Sequence, residues 1–94
     1  MNQEETNPHP EAKIALSSVG DLTELMVKAL VDEPDGVEVH EIEGEQSTLI
    51  ELEVSKEDIG KVIGKRGVTA AALRTILSAA GAKLKKRVIL DIID

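Results

Sequence analysis

The chain of 94 residues contains no Phe, Tyr, Trp or Cys. Without rings, Leu, Ile, Val, Met and Ala must fill any interior. Each large aliphatic side chain that is fully buried then contributes about 1.5–3 kcal/mol. Without cysteine, disulfides and thiolate metal sites are excluded, and the redox compartment is left undetermined. No apolar run approaches the roughly 18 residues that a membrane span requires. The first twenty residues lack a basic start followed by an apolar block, so no signal peptide is expected and the cytoplasm is the expected location. A chain this short makes one small domain, burying roughly 60% of its unfolded surface.

Cations are scarce in the first half. Residues 1–54 hold Lys13 and Lys28 against fourteen acids, a balance of −12, while residues 55–94 hold nine cations against four acids, a balance of +5. The net charge of −7 therefore conceals a basic C-terminal half. A local basic patch matters more for phosphate binding than the total does, and the acidic half disfavours indiscriminate adsorption to nucleic acid. A charge block can also do no more than solvate a surface.

Residues 1–17 are polar, include Pro8 and Pro10, and lack a sustained period. They read as a disordered tail, with the domain proper over 18–94. His9 reads as solvated. Leu22, Leu25, Met26, Ala29 and Leu30 share one helical face, with Asp21 as its cap, Glu24 three residues on, and Pro34 and Gly36 as its end. Val37 and Val39, then Ile50, Leu52 and Val54, alternate with polar residues and predict two strands joined by a turn at Glu43–Gln46. Glu38, Glu41, Glu51 and Glu53 are expected to face water. His40 is expected at the surface, with no metal-ligand spacing around it. Ser55 starts a short helix over 56–63, supported by Asp58. A longer helix over 68–80 carries Leu73, Ile76, Leu77 and Ala80 on one face and stops at Gly81. Val88–Ile93 is the last strand. It is apolar on both faces through Ile89 and Ile93, which suggests a surface for self-association or a partner. The order α-β-β-α-α-β predicts a two-layer α+β domain, with three strands on one side and three helices on the other.

Between the last two helices stands Ile59-Gly60-Lys61-Val62-Ile63-Gly64-Lys65-Arg66-Gly67. Glycine lets the backbone approach a ligand closely, and two cations at the tip select an anion. At the start of a helix, such a turn suits a phosphate. A plain helix–helix turn would need glycine too, but not the cationic pair.

This arrangement resembles a KH domain of type II, defined by the same element order and a Gly-x-x-Gly loop joining two helices. The Val62-Ile63-Gly64 run matches the signature that precedes that loop. Lys28–Asp32, Pro34-Asp35, Glu41–Glu45, Glu57–Lys65 and Leu73-Arg74-Thr75 resemble in particular the small bacterial single-KH proteins of the KhpA family, over about residues 20–94. The chain departs from that pattern at Val68, where a basic residue is common, and at Thr69, where an aliphatic one is.

The resemblance implies a three-stranded mixed sheet with three helices on one face, and a non-enzymatic protein that clamps about four nucleotides of single-stranded RNA along the loop. Gly64 and Gly67 would permit the backbone path. Lys65 and Arg66 would add charge, Arg66 with a two-pronged phosphate contact. Amides near Gly67 and Val68 would face the bound strand. Ile59, Val62 and Ile63 would line an apolar groove, the small Ala70 and Ala71 would let bases lie close, and Lys61 and Arg74 would make secondary phosphate contacts. Lys83–Arg87 would extend the patch or protect an edge strand. The family further implies pairing with a second copy or with a larger KH-containing protein, and a role as an RNA chaperone or post-transcriptional regulator, including regulation of cell shape. No cofactor is implied.

Other readings fit less well. An RRM needs stacking rings. A helix-turn-helix reader of DNA needs polar side chains where Val68–Ala72 stand. A P-loop needs a longer spacing and a Ser or Thr. A pure protein adaptor with a structural loop is the remaining alternative. No cysteine, two dispersed histidines and no paired carboxylates in a cleft argue against catalysis.

Overall fold

The computed structural model describes residues 18–94; the tail expected over 1–17 lies outside the described residues. Helix α1 (Val19–Lys28) leads through a 3-10 turn at Pro34–Gly36 into strands β1 (Glu38–Glu43) and β2 (Ser47–Glu53). A 3-10 turn at Lys56–Asp58, helix α2 (Ile59–Ile63), a second such turn at Lys65–Gly67 and helix α3 (Val68–Leu84) follow, and strand β3 (Arg87–Ile92) closes the fold. The sheet runs β1-β2-β3, β1 antiparallel to β2 and β3 parallel to it. This is the α+β, mixed-sheet architecture expected from the order of elements.

The core is wholly aliphatic: Val19, Val27, Val37, Ile50, Leu52, Val62, Leu73, Leu77 and Leu90. Ile50 and Leu52, two residues apart on the central strand, are both fully buried, as the alternation predicts.

Helix α1 differs from its expected form. Ser18 is the cap, its Oγ accepting the Asp21 amide at 3.1 Å, so the helix starts earlier than a cap at Asp21 would place it. Glu24 pairs with Lys28 at 2.7 Å instead of capping. The buried stripe is Val19, Thr23 and Val27, while Leu25 and Leu30 are 44% and 42% exposed. Thr23 tolerates burial because its hydroxyl donates to the Val19 carbonyl at 2.8 Å. The helix ends at Lys28, and Pro34–Gly36 forms a separate turn.

Helix α3 runs past Gly81, which is buried inside it. A Cβ there would lie 2.7 Å from Cγ2 of Val88. This glycine therefore admits the returning chain at close range and does not stop the helix. The stop is Lys85, left-handed at φ 61°. On the same helix Leu73 and Leu77 are buried, but Ile76 is 48% exposed.

Glu38, Glu51 and Glu53 lie on the outer face of the sheet. Glu41, opposite Ile50, instead belongs to the helix-facing side, at the sheet edge beside Gly20. Outer-face residues Ile42, Leu49 and Ile89 are directly opposed and form one apolar row across the three strands.

Candidate nucleic-acid interface

Three loop residues with positive φ, Gly64, Arg66 and Gly67, accompany the exposure of Lys65 and Arg66. Gly64 has φ 78° and ψ 169°, a conformation that only glycine adopts readily. Its hydrogen faces Thr69: a Cβ would collide with the Thr69 side chain and lie 2.8 Å from the Thr69 amide nitrogen. Arg66 and Gly67 are both left-handed, at φ 58° and φ 75°. A Cβ on Gly67 would meet nothing, so its requirement is one of backbone angle alone. The side chains of Lys65 and Arg66 are exposed and form none of the ion pairs found among the described residues.

The turn is self-bonded. The Gly67 amide donates to the Gly64 carbonyl at 3.0 Å, and the Val68 amide to the Lys65 carbonyl. The amides expected to face a ligand at Gly67 and Val68 are thus satisfied within the 3-10 turn. Gly67 caps α3 without a side chain, so the later amides of the first helical turn have no side-chain acceptor at the positive end of the helix. Val68 is 63% exposed.

The flanking residues divide. Ile63 is 39% exposed beside the loop. Ile59 is half-buried and lines a hollow of about 330 Å³ with Val54, Lys56 and Ile93. Val62, expected in the groove with them, is fully buried in the core. At i, i+3 and i+4 the three share one helical face, and its middle is turned into the core at Val62 while Ile59 and Ile63 stay at its rim. Ala70 is buried at 4% exposure, and only Ala71 of the pair is at the surface.

Of the two outlying cations, Lys61 is turned toward acids: its Nζ lies 3.2 Å from Asp32 and 3.7 Å from Asp58. The Asp32 hydrogen bond, followed by that carboxylate's charge, holds its pKa above the ordinary lysine value. Arg74 lies against the free edge of β3. Its Nε and Nη2 donate to the Leu90 carbonyl at 3.3 and 3.0 Å, leaving three of its five donor hydrogens for other acceptors. The Lys83–Arg87 cluster sits at the far end of α3, about 25 Å along a 17-residue helix from the loop. Lys86 there bonds Glu43 at 2.6 Å and the Gly44 carbonyl at 3.0 Å. The basic half therefore forms two separate patches, and the distal one pins the β1–β2 hairpin.

Two supporting residues escaped the sequence reading in these roles. Asp58, expected to serve its own turn, is fully buried and accepts from the Asp32 and Glu33 amides at 3.2 and 3.0 Å. Lys61 three residues later was the only signal. Thr69, legible only as a departure, packs against Gly64.

The family model for the KhpA/KhpB KH domain matches residues 20–92, including the whole loop. The chain belongs to the KhpA/KhpB KH-domain family. This is a non-enzymatic family. Its relatives include proteins named RNA-binding protein KhpA. The one from Caldanaerobacter subterraneus subsp. tengcongensis is 59% identical over 75 residues, covering 80% of this chain and all of the relative. The one from Aquifex aeolicus is 53% identical over 79 residues, covering 84% and 100%. The one from Borreliella burgdorferi is 53% identical over 74 residues, covering 79% and 90%. No solved structure matches.

Proposed function

We propose that this KH domain binds single-stranded RNA by gripping the sugar-phosphate backbone with the Gly64–Gly67 turn. The observation that carries the reading is the exposed Lys65–Arg66 pair, held out by left-handed backbone at Arg66 and Gly67 at the start of α3. Relatives that span nearly their whole length with this chain are named for RNA binding. Ile59 and Ile63 offer apolar surface beside the loop, Ala71 leaves room for a base, and Arg74 presents its remaining donors along β3. Val62 and Ala70 act from beneath, as packing. Lys61 contributes through Asp32 and Asp58 rather than through a phosphate.

A single domain of this size contacts few nucleotides, and pairing raises avidity. We infer that the protein acts in the cytoplasm as a homodimer or with a larger KH-containing partner, as an RNA chaperone or post-transcriptional regulator. An apolar hollow of about 330 Å³ between α1 and α3, lined by Met26, Leu30, Ala72 and Ile76, supports the pairing.

The test is the double variant Lys65→Asp, Arg66→Asp, titrated with fluorescent single-stranded RNA while folding and sedimentation are followed. Binding collapses and the fold and the association state persist. Unchanged affinity would hand the case to the adaptor reading.

A further inference from the structure

On the outer face of the sheet, β1 and β2 present Glu38, His40 and Glu53 together. Glu38 and Glu53 are direct partners across the antiparallel ladder, and His40, two residues on, points to the same side. One ligand atom from each of the three lies within 4.8 Å of the other two. Nε2 of His40 is 3.6 Å from Oε1 of Glu38. A tetrahedral zinc site with bonds of about 2.0–2.2 Å separates its ligand atoms by roughly 3.3–3.5 Å. Small rotations of exposed glutamate side chains close the difference.

The charges around the three residues point the same way. Like charges placed directly opposite one another across a ladder are destabilising, yet Glu38 faces Glu53, and Glu51 faces Asp91 in the next register row on β3. The lysine ion pairs among the described residues involve Glu24, Asp32, Asp58 and Glu43, and none of these four acids. The sheet therefore holds an acidic cluster without Lys or Arg compensation, and an imidazole stands inside it: Glu51 is opposite His40.

We propose that Glu38, His40 and Glu53 bind a divalent cation of zinc type, with water completing the coordination. The nitrogen donor selects the metal. Imidazole suits zinc, copper and nickel, whereas an all-oxygen set would favour magnesium or calcium. Strand pairing sets the ligand positions in advance, since the three side chains sit on adjoining rungs of one ladder. Bound metal would replace a repulsive cross-strand pair by an attractive bridge.

The experiment titrates zinc alone into the untagged full chain, by calorimetry and by amide chemical shifts. One zinc per chain is expected, with shifts centred on residues 38–40 and 51–53. His40→Gln should weaken binding by at least about tenfold, and Glu53→Gln should weaken it as well. His9→Gln, which removes the other histidine, should leave affinity unchanged, and millimolar magnesium should not compete. These are surface substitutions, which rarely disturb folding. The proposal is overturned if zinc binding does not saturate, if His40→Gln binds as tightly as the parent, if His9→Gln abolishes binding, or if magnesium displaces zinc at similar concentration.

Discussion

Asp58 and Glu33 are joined across 25 positions of chain: the Asp58 Oδ2 accepts the Glu33 amide proton at 3.0 Å. Its other oxygen accepts the Asp32 amide at 3.2 Å. One buried carboxylate thus ties the segment after α1 to the residue that precedes α2. It satisfies two backbone donors that no secondary structure reaches, and Lys61 stands 3.7 Å away to balance its charge. Hydrogen bonds to a charged group contribute about 1.5–3 kcal/mol when one partner is deleted. Asp58→Ala should therefore destabilise the domain by about that amount in urea melts, with Asp58→Asn in between. RNA affinity should fall only to the extent that the fold does. A stability loss below about 0.5 kcal/mol would mean that the two amides find other acceptors.

Gly64 and Gly67 should respond differently to alanine. At Gly64 the backbone angle and the collision with Thr69 act together, whereas at Gly67 only the angle does. Gly64→Ala should cost more than Gly67→Ala, which should cost about 1–2 kcal/mol. Adding Thr69→Ala to Gly64→Ala should recover part of the difference. Equal losses for the two single variants would show that the turn rearranges to spare Thr69.

Among the described residues, two non-glycine residues hold left-handed angles, Arg66 at φ 58° and Lys85 at φ 61°. Glycine at either site should stabilise by about 0.5–1 kcal/mol in thermal melts. The consequences for binding part company. Lys85→Gly ends α3 more comfortably and should leave RNA affinity intact, while Arg66→Gly should lower it. A binding site that keeps a strained cation in place of the easier glycine is what the proposed phosphate grip demands.

Lys61 makes stability depend on alkaline pH in one direction. Its pKa in the folded protein lies above the ordinary 10.5 because Asp32, first by hydrogen bond and then by charge, favours the ammonium. The unfolded chain releases this proton first as pH rises. The contribution is therefore complete below the ordinary lysine value and is lost as pH climbs through the raised one. Lys61→Met should be slightly less stable than the parent at neutral pH. The gap should close at strongly alkaline pH, read from urea midpoints across a pH series.

Salt should report how many phosphates the loop neutralises. For single strands the slope of log affinity against log salt falls by roughly 0.7 per phosphate contact removed. Lys65→Ala and Arg66→Ala should each flatten the slope by about this amount. Lys86→Ala, beyond the far end of α3 and bonded to Glu43, should not.

Much of the architecture was legible because its signals are local. Ile50 and Leu52 alternate on β2, and the Gly64–Gly67 turn carries its glycines and its cations side by side. Where the reading slipped, the deciding contact was distant. The apolar period of α1 included Leu22 and Met26, which do pack against the core, but it also counted the exposed Leu25 and Leu30 and missed the deepest residues, Val19, Thr23 and Val27. Ser18 could be the cap, in place of Asp21, because it stands one step before that buried stripe. Gly81 carries a helix-stop signal that any sequence reader would take. Its true role depends on Lys86 and Val88 returning against it, which no local window contains.

The amino-acid sequence alone dictated an all-aliphatic interior, a chain split into an acidic and a basic half, and a glycine turn that exposes Lys65 and Arg66. These follow from composition, period and backbone freedom, all properties of short stretches. The tertiary structure decided that Val62 belongs to the core, that Asp58 anchors a segment 25 residues away, that the basic half separates into two patches, and that Glu38, His40 and Glu53 converge. Each of these depends on strand register or helix docking, in which residues far apart in the chain are brought together by burying apolar surface that belongs to neither alone.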